Sequence, residues 1–470
     1  MTSVVIIGGG PGGMEAAFRA RQLGGDVTLV QEEGAGGSAV LTDVIPSKTL
    51  ISVGQRIAQI REAGLFGVRL KDGGEDVWSA MQVDMRQVNK RIRRLARAQS
   101  EDYDHRLREE GVRIVAGHGR LQDSRTVIAE TADGPQTIPA EVILIATGGH
   151  SRVLPTAMPD GERILNWQQL YYLKELPEHL IVVGSGVTGA EFSSAYQALG
   201  AHVTLVSSRG TILPGADPDA GAALQQTFTQ RGIRVINNAH AESVTRDGDG
   251  VLVQLAGGEQ VRGSHALVAV GAIPNTTGIG LETVGVATTP SGHIIIDRVS
   301  RTSVRGIYAA GDCADGMKLA SVAGMQGRIA MEHSLGDAVT PYSDRTVASG
   351  VFTSPEIASV GVTQQDVDSG AIVARAVTVE LAANARTKMK EADGGFVKIF
   401  CLPTTHIVVG GVIVSFWATE LIHSLSLAVK HKLTVEQLAD AFTVYPSLSG
   451  SIAEAARRLH GHEGEAVILY

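Results

Sequence analysis

Cysteine is nearly absent from this 470-residue sequence, which contains only Cys313 and Cys401, far apart along the chain. So few cysteines exclude a disulfide framework and any cysteine-rich zinc or iron–sulfur site, and we expect no metal site of another kind. Basic charge is also scarce, because 41 Lys and Arg residues face 49 Asp and Glu residues, a net charge of −8. That balance argues against a nucleic-acid binder, whose phosphate contacts require a basic surface.

Long apolar runs are lacking too. The longest, around Ile407–Ala418, is interrupted by Gly410, Gly411 and Ser415 and falls short of the roughly 18–20 residues that a membrane-spanning helix needs. The N-terminus shows neither the basic region nor the cleavage pattern of a signal peptide. We therefore expect a cytoplasmic protein without a membrane span, and the chain length predicts about three domains.

Glycine, by contrast, is abundant, with 56 residues, and it clusters after an apolar run. Val4–Ile7 is rich in β-branched residues, as expected of a parallel strand buried on both faces. A helical stretch, Met14–Leu23, and a second strand, Val27–Val30, follow. The glycines between strand and helix match the GxGxxG dinucleotide fingerprint: Gly8, Gly10 and Gly13. Glycine in this setting lets the backbone approach a pyrophosphate at the N-terminus of a helix.

The same pattern returns in the middle of the chain. An apolar strand, Leu180–Val183, precedes a helical stretch, Ala190–Leu199, and a further strand, Val203–Val206. The glycines of this second fingerprint are Gly184, Gly186 and Gly189. An internal duplication of a dinucleotide-binding module implies two bound nucleotides, and electron transfer is the simplest reason to bring them together.

From Ser343 onward the pattern changes, and no glycine fingerprint occurs. We predict antiparallel strands over Ala371–Leu381, Gly395–Cys401 and Ile407–Ser415. We predict helices over Thr419–Lys430, Thr434–Ala441 and Ser451–His460. The expected fold class is therefore α/β, with two Rossmann-like dinucleotide-binding domains and a C-terminal α+β domain whose apolar surface favours self-association.

With these motifs the sequence resembles the pyridine nucleotide–disulfide oxidoreductases over essentially its whole length. The matching segments, besides the two fingerprints, are Gly36-Gly37, Ile45-Pro46-Ser47-Lys48, Ala146-Thr147-Gly148, Glu191, Gly271–Asn275, Gly311-Asp312, Leu319-Ala320 and Tyr445-Pro446-Ser447. The resemblance implies a homodimer with FAD-binding domains of ββα three-layer type. Residues 1–150 and 273–343 would form the FAD-binding domain, residues 151–272 would bind NAD(P), and residues 344–470 would form the dimerisation domain.

Two departures from the family pattern shape the expected function. The positions of the two redox cysteines are occupied by Ala39 and Val44, and a thiolate is the nucleophile of disulfide chemistry. The acid–base pair of the family's His-Pro-x-x-x-Glu segment is replaced by Tyr445 and Gly450. The sequence thus argues against a disulfide reductase and predicts an apolar, open flavin face that suits a planar quinone.

The resemblance also implies roles for single residues. Lys48 would lie beside the flavin and pair with Glu191, where a fixed cation favours electron density on the ring; the alternative is an ion pair that merely ties two domains together. Asp312 would accept a hydrogen bond from the ribityl chain, or else be a plain helix N-cap. The helix beginning near Ala320 would direct its positive end at the flavin. The predicted FAD contacts are Gly8, Gly10, Gly13, Glu32, Gly37, Lys48, Gly119, Thr147, Gly148, Asp312 and Ala320.

Two details of nucleotide recognition depart from the usual fingerprint. Gln31 stands where an acid is expected after the first module's second strand, so the adenosine ribose is assigned to Glu32. The corresponding strand of the second module is followed by Ser207, Ser208 and Arg209 rather than a carboxylate. Hydroxyls and arginine favour NADPH over NADH, unless Arg209 is an ordinary surface charge. The predicted NAD(P) contacts are Gly184, Gly186, Gly189, Ser207, Arg209 and Gly271.

These expectations combine into an FAD-dependent NAD(P)H:quinone oxidoreductase that passes electrons to a small quinone-like acceptor without a redox disulfide. The predicted catalytic residues are Lys48, Glu191 and Tyr445. Tyr445 would hydrogen-bond a quinone oxygen across the dimer, although packing at the interface is its favoured role. Two alternatives stay open: a soluble pyridine nucleotide transhydrogenase, and a catalytically silent flavin-bound sensor or scaffold.

Overall fold

The computed structural model describes residues 1–71, 78, 81–392 and 394–460. Within these residues the chain forms thirteen α-helices and twenty-three β-strands, and the strands are arranged in six sheets. Three of the sheets have five strands, and each of these organises one region of the chain. None of the helices in the described ranges is both long and apolar enough to cross a bilayer.

The first region builds a parallel sheet around the predicted strand at residues 4–7. Its elements are β1 (Ser3–Ile7), α1 (Pro11–Gln22), β2 (Asp26–Gln31), α2 (Gly37–Leu41), α3 (Val44–Arg61), α4 (Met85–Glu109), β3 (Arg113–Ala116), β4 (His118–Asp123), β5 (Thr126–Thr131), β6 (Gly134–Pro139), β7 (Val142–Ile145) and β8 (Gly149–Ser151). Strands β7, β1, β2 and β3 lie side by side and run parallel. Helix α1 begins earlier than predicted, because Pro11 at the first helical position has a preset φ and no N–H to satisfy.

The two faces of β1 are covered by different layers. Val5 and Ile7 pack with the three-stranded antiparallel sheet β4-β5-β6, while Val4 and Ile6 pack with α1. A strand that is buried on both sides has no polar alternation, which explains the continuous apolar run of the sequence. The region therefore has three layers: a helical layer, a parallel sheet and a small antiparallel sheet.

The second region repeats this arrangement. Its elements are β9 (Ile164–Leu165), β10 (His179–Val183), α5 (Val187–Leu199), β11 (His202–Val206), α6 (Pro218–Gln230), β12 (Arg234–Ile236), β13 (Ala241–Asp247), β14 (Gly250–Leu255), β15 (Gln260–Gly263), β16 (His265–Val268) and β17 (Ala272–Pro274). The parallel order is β12-β11-β10-β16-β9. Ile181 and Val183 pack against β13-β14-β15, whereas Leu180 and Val182 face the helices. The predicted duplication is thus a duplication of the whole three-layer unit.

The last region returns to the first sheet before forming the third. Its elements are α7 (Leu281–Val284), β18 (Ile307–Ala309), α8 (Ala320–Ser334), β19 (Ala348–Val351), β20 (Glu356–Gly361), α9 (Gln364–Asp368), β21 (Arg375–Glu380), α10 (Ala385–Met389), β22 (Phe396–Cys401), β23 (Val408–Ser415), α11 (Ala418–His431), α12 (Val435–Asp440) and α13 (Ser449–His460). Strand β18 pairs with β7, and α8 packs beside α1. The chain therefore leaves the first module, forms the second and comes back, while the predicted divisions after residues 150, 272 and 343 stay predictions.

The C-terminal sheet is antiparallel, with the order β19-β20-β23-β22-β21. The three predicted strands correspond to β21, β22 and β23, although β21 is shorter than predicted. Strands β19 and β20 were not predicted, because ASGV and EIASVG contain many small and polar residues and show no clear alternation. One face of the sheet packs with the final helices, and the other packs with the second module.

A buried ion pair ties the C-terminal sheet to the second module. Lys398 lies in β22 with its side chain only 3% exposed, and its Nζ lies 3.0 Å from both carboxylate oxygens of Asp217. The same amine also contacts Asp219. Asp217 caps α6 by accepting hydrogen bonds from the backbone N–H groups of Asp219 and Ala220. One lysine thus joins the sheet to the first turn of α6.

Replacing Lys398 with methionine would leave the Asp217 carboxylate buried without its cation. Breaking a buried pair in this way costs about 3–5 kcal/mol, so the Lys398→Met variant should unfold at a clearly lower temperature. Lys430, exposed near the end of α11, supplies the matched control, and Lys430→Met should change the stability by less than about 0.5 kcal/mol. Thermal unfolding followed by circular dichroism checks this, and equal midpoints for the two variants would contradict it.

Candidate active site

A cavity of about 560 Å³ opens where the first parallel sheet meets the N-terminus of α1. Strands β1 and β7 are neighbours in this sheet, so the turns that follow them converge there. The predicted FAD residues that line the cavity are Gly8, Gly10, Glu32, Gly37, Gly119, Thr147, Gly148, Asp312 and Ala320. Motifs far apart in sequence are gathered into one concave site at the carboxyl ends of parallel strands, where open α/β sheets bind ligands.

The glycines of the first fingerprint have different physical functions. Gly8 adopts a φ of +107°, and a Cβ there would lie 2.2 Å from the carbonyl oxygen of Ala146. A Cβ on Gly13 would lie 1.9 Å from the carbonyl oxygen of Gly8, so α1 crosses β1 too closely for any side chain. Gly10 has open space where a Cβ would stand and lines the cavity. Gly13 thus permits helix packing, and like Lys48 it is not among the residues that line the cavity, so the cofactor contacts predicted for these two residues stay predictions.

The second fingerprint has the same geometry. Gly184 adopts a φ of +112°, and a Cβ there would lie 2.2 Å from the carbonyl oxygen of Ala269. A Cβ on Gly189 would lie 1.8 Å from the carbonyl oxygen of Gly184, whereas Gly186 again faces open space. The two modules thus present the same backbone cradle at the N-terminus of a helix, where unpaired N–H groups attract a phosphate.

The polar residues at the end of β2 divide into a buried one and an exposed one. Gln31 is buried, and among the described residues its Oε1 has no hydrogen-bond partner. The next residue, Glu32, lines the cavity with an exposed side chain, 3.2 Å from Nδ1 of His118. The geometry therefore leaves Glu32 available for a ribose, and His118 is a neighbour that the sequence analysis did not identify.

Lys48 and Glu191 form an ion pair across the boundary between the two modules. The Nζ of Lys48, in α3, lies 2.7 Å from Oε2 of Glu191, in α5. The Glu191 side chain is only 4% exposed, and its other oxygen accepts a hydrogen bond of 2.9 Å from the backbone N–H of Phe352. Lys48 also lies 5.0 Å from the centre of the Phe352 ring. The predicted pair thus joins both modules to the segment that follows β19.

The wall of the cavity at the start of α3 includes Ala39 and Val44 as well as two polar residues, Thr42 and Asp43. The prediction of an apolar face is therefore wrong in one respect, because a carboxyl group stands next to Val44. Burial raises the pKa of Asp43 to about 6; Lys48 opposes this rise, while Glu191 and Asp312 add to it. The sequence pattern gives no signal for Asp43, because the family resemblance concerns the two cysteine positions, which Ala39 and Val44 occupy.

Asp312 and Lys318 lie on the wall formed by the segment between β18 and α8. Burial raises the pKa of Asp312, against the opposing charges of Lys318 and His293. Helix α8 begins at Ala320 with Leu319 as its N-cap, so the alternative of Asp312 as the cap of that helix is excluded. The first residue of α8 lines the cavity, which directs the helix N-terminus at the site.

The residues after β11 differ from the expectation in one place. Ser207 is fully buried, and its hydroxyl hydrogen-bonds Ser185 Oγ at 2.7 Å and the carbonyl oxygens of Arg209 and Thr211 at 3.1 Å. The nucleotide contact predicted for Ser207 is therefore corrected, because its hydroxyl supports the loop instead. Ser208 and Arg209 are exposed and are the side chains of this loop that a ligand can reach.

Tyr445 lies away from the cavity of its own chain. Its side chain is 87% exposed, in a segment where Phe442 and Val444 are also exposed. A role for Tyr445 in catalysis therefore requires a second copy of the chain, and it stays a prediction. Three exposed apolar side chains so close together are typical of a surface that another chain covers.

Neither cysteine can replace the missing redox pair. Both Cys313 and Cys401 are free and buried, and burial raises the pKa of each thiol. The Sγ of Cys313 lies 3.3 Å from the carbonyl oxygen of Ala310, packed in the core beneath the sheet. A buried thiol with a raised pKa is a poor nucleophile, so both residues are structural.

One further cluster of titratable side chains lies in the C-terminal region. Glu436 Oε1 is 2.6 Å from Nδ1 of His406 and 3.0 Å from Nδ1 of His460. Burial raises the pKa of Glu436, but hydrogen bonds from Thr434, His460 and His406 outweigh it and lower the pKa to about 2. We assign these contacts to packing, since they hold α12 and the end of α13 against the turn before β23.

Two glycine cradles on duplicated modules, joined by a buried ion pair, define an oxidoreductase that uses two dinucleotides. The chain belongs to the pyridine nucleotide–disulphide oxidoreductases. The model of that family matches residues 2–327, and the model of its dimerisation domain matches residues 347–456. FAD is accordingly the cofactor of this flavoprotein, and a pyridine nucleotide is its electron donor.

Several relatives match along nearly the whole chain. An NAD(P)H dehydrogenase (quinone) of Mycobacterium tuberculosis is 49% identical, covering 98% of this chain and 95% of the relative. A dihydrolipoyl dehydrogenase of Geobacillus stearothermophilus is 32% identical, covering 97% and 95%. The crystal structure of LpdA from Mycobacterium tuberculosis superposes with a TM-score of 0.93 at 49% identity, covering 98% of this chain and 100% of that one.

The residues around the cavity fit FAD. Open space above Gly10, at the N-terminus of α1, matches the approach of a pyrophosphate to bare backbone. The Oε1 atom of Gln31 is a buried acceptor without a partner among the described residues, and such atoms are rare unless a ligand or water satisfies them. Glu32, the next residue, also lines the cavity and stays the predicted contact of the adenosine ribose.

Two of the three glycines of the first fingerprint, Gly10 and Gly13, offer a matched pair of variants. Gly13→Ala forces a methyl group against the carbonyl oxygen of Gly8, and overpacking of this kind costs about 1–3 kcal/mol. Gly10→Ala places the methyl group in open space, so it should leave the fold intact while weakening FAD binding. Thermal unfolding of the FAD-free protein and flavin fluorescence separate the two effects. A Gly13→Ala protein as stable as the wild type would contradict the packing role.

Proposed function

We propose that the protein is an NAD(P)H:quinone oxidoreductase, in which electrons pass from NAD(P)H through FAD to a small quinone-like acceptor without a redox disulfide. The observation that carries the proposal is the wall at the start of α3, where Ala39 and Val44 line the cavity and sulfur is absent. The chain also has the Lys48–Glu191 pair and the second glycine cradle, which in this proposal serve the reaction with the electron donor NAD(P)H. The 49% identical relative that is named as a quinone-dependent dehydrogenase adds support.

FAD would be held by the backbone of the first fingerprint, with Glu32 at the adenosine ribose and Asp312 at the ribityl chain. When bound, FAD supplies a carrier that takes two electrons from a pyridine nucleotide and releases them to a second substrate. The chain would position this carrier by burying it among the turns that follow the five strands of the first parallel sheet. Because parallel strands are rigid, the turns hold their backbone donors in place before any ligand arrives.

Lys48 would act as a fixed cation near the site where negative charge develops. Its partner Glu191 is anchored by the backbone N–H of Phe352, so the ammonium group is held in one position rather than free to move. A preorganised charge of this kind stabilises a charged state without reorganising at the moment of reaction. We assign Lys48 and Glu191 this role: Glu191 holds the positive charge of Lys48 in place. The same ion pair also holds the two domains together.

The donor site favours NADPH in this proposal. Ser208 and Arg209 are exposed at the end of β11, at the place where a 2′-phosphate would lie. An arginine guanidinium recognises a phosphate by charge and by paired hydrogen bonds. NADH, which lacks this phosphate, would gain nothing from Arg209.

We further propose that the protein is a homodimer. The match to the dimerisation domain and the exposed side chains of Phe442, Val444 and Tyr445 support a face that is covered by a second chain. Tyr445 would then lie at the edge of the partner's cavity, as interface packing or as a hydrogen-bond donor to the acceptor.

A panel of acceptors tests the proposal. The purified flavoprotein should reduce menadione-type quinones rapidly with NAD(P)H, and should turn over lipoamide and glutathione disulfide at least about 100-fold more slowly, because no thiolate is available. Steady-state assays measure both, with exchange between NADPH and an NAD analogue as a third arm. Efficient disulfide reduction, or nucleotide exchange faster than every quinone reaction, would overturn it; flavin that NADPH cannot reduce would indicate a silent scaffold.

The Arg209→Ser variant tests the donor assignment. We expect KM for NADPH to rise by about tenfold, which is the loss of roughly one charged hydrogen bond, while KM for NADH stays unchanged. Arg262→Ser is the matched control, because Arg262 is an exposed arginine of the same module that pairs with Asp247. Steady-state kinetics with each nucleotide decide the matter, and an equal change for both nucleotides would show that Arg209 is an ordinary surface charge.

A further inference from the structure

Asp43 is the one residue of the cavity wall at the start of α3 that carries an ionisable group beside Ala39 and Val44. It stands at the N-cap of α3, where an aspartate side chain ordinarily accepts hydrogen bonds from the first turn. Here no hydrogen bond of the side chain caps the helix. The backbone carbonyl oxygen of Asp43 accepts the first hydrogen bond of the helix, 2.8 Å from Ser47 N, as at any N-cap. The carboxyl group of Asp43 therefore makes no capping hydrogen bond to α3.

The surroundings of Asp43 are those of a proton-exchanging group. Three neighbouring elements present titratable groups to it: Glu191 from α5, Tyr171 from the short 3₁₀ helix at residues 169–172, and Asp312 from the segment after β18. Lys48, which lies on the same helix as Asp43, is the cation among these groups, and its charge is paired with that of Glu191 at 2.7 Å. Burial, with Glu191 and Asp312 adding to it, raises the pKa of Asp43 to about 6, so the group both holds and releases a proton near neutral pH.

The proposed reaction takes up one proton that NAD(P)H does not supply. Reduction of a quinone to a hydroquinone consumes two electrons and two protons, and NAD(P)H supplies both electrons but only one of the two hydrogens. The two histidines that line the cavity lie on other elements, His118 in β4 and His150 in β8, where they contact Glu32 and Asn275. Tyr445 is outside the cavity of its own chain. Within the described residues, Asp43 is the acid on the wall that Ala39 and Val44 share.

We propose that Asp43 is the proton donor to the acceptor bound against this wall. The O–H bond of its carboxyl group breaks as an O–H bond forms on a quinone oxygen, and the carboxylate then regains a proton from water. The sum is NAD(P)H, a proton and a quinone converted to NAD(P)⁺ and a hydroquinone. This inference rests on the proposed function, because it needs an acceptor that takes up protons.

The Asp43→Asn variant tests the proposal, since asparagine is as good an N-cap as aspartate but has no acidic proton. Turnover of menadione should fall by about 100-fold, which is the usual contribution of a general acid. Turnover of ferricyanide, which takes electrons without protons, should stay within about twofold of the wild type. Asp43→Glu should restore part of the menadione rate. Asp133→Asn, on an exposed turn, is the control that should leave both rates unchanged.

The pH dependence gives a second signature. The acid must be protonated to act, so wild-type menadione turnover should decline as the pH rises through about 6, whereas the Asp43→Asn variant should show no such decline. Infrared difference spectra of the FAD-loaded protein give a readout independent of activity. The C=O band of a protonated carboxyl should disappear with a midpoint near pH 6 in the wild type, and this band should be missing in the variant.

The outcomes separate this proposal from the proposed function. If the wild-type enzyme reduces no quinone, the proposed function itself is wrong. A quinone-active enzyme in which Asp43→Asn changes neither the menadione rate nor its pH profile overturns only the role of Asp43. Equal losses for menadione and ferricyanide, accompanied by loss of bound FAD, would also overturn it, because they would show that Asp43 serves the structure alone.

Discussion

The ion pair between Lys48 and Glu191 is the contact on which the site depends. A carboxylate as buried as that of Glu191 is costly without a cation, and Lys48 supplies one at 2.7 Å. The pair fixes α3 against α5, and the second oxygen of Glu191 fixes both to the backbone of Phe352. The first turn of α3 is a wall of the cavity. The ion pair between the two modules therefore also fixes the position of that wall.

The same wall is where the chain departs from the cysteine pattern that the family resemblance implies for residues 39 and 44. Ala39 lies in α2 and Val44 is the first residue of α3, and the small or aliphatic side chains at these two positions offer no nucleophile. In the proposed reaction Asp43 supplies a proton at this wall. The glycine cradles and the Lys48–Glu191 ion pair are present alongside it.

Duplication of a module has a simple physical basis in this chain. Each parallel sheet is covered on one face by helices and on the other by a small antiparallel sheet, so each can bury its own core. Close crossing of helix and strand at Gly13 and at Gly189 repeats to within 0.1 Å in the contact that a Cβ would make. The cradles are therefore a consequence of the packing of helix on strand, and the ligand uses backbone groups that this packing exposes.

Local sequence patterns were sufficient to predict the elements whose structure is determined by a short segment of the chain. The apolar run before Gly8, the spacing of the fingerprints and the order of strand, helix and strand predicted both modules, because a strand buried on two faces and a tight glycine turn leave direct traces in sequence. The start of α1 and strands β19 and β20 were missed, since proline at a first helical turn and small residues in a strand have no distinctive periodicity.

Sequence alone determined the two nucleotide modules and the absence of a cysteine pair, because each rests on residue type at a fixed spacing; the pairing of Lys48 with Glu191 was implied by the family resemblance. Tertiary structure decided what those patterns could not: that Ser207 is buried and Ser208 is not, that Gly13 serves packing, and that Asp43 stands in the cavity. Burial and proximity arise from segments that meet only after folding. For that reason no local pattern encodes which side chain faces a ligand, or how its surroundings shift its affinity for a proton.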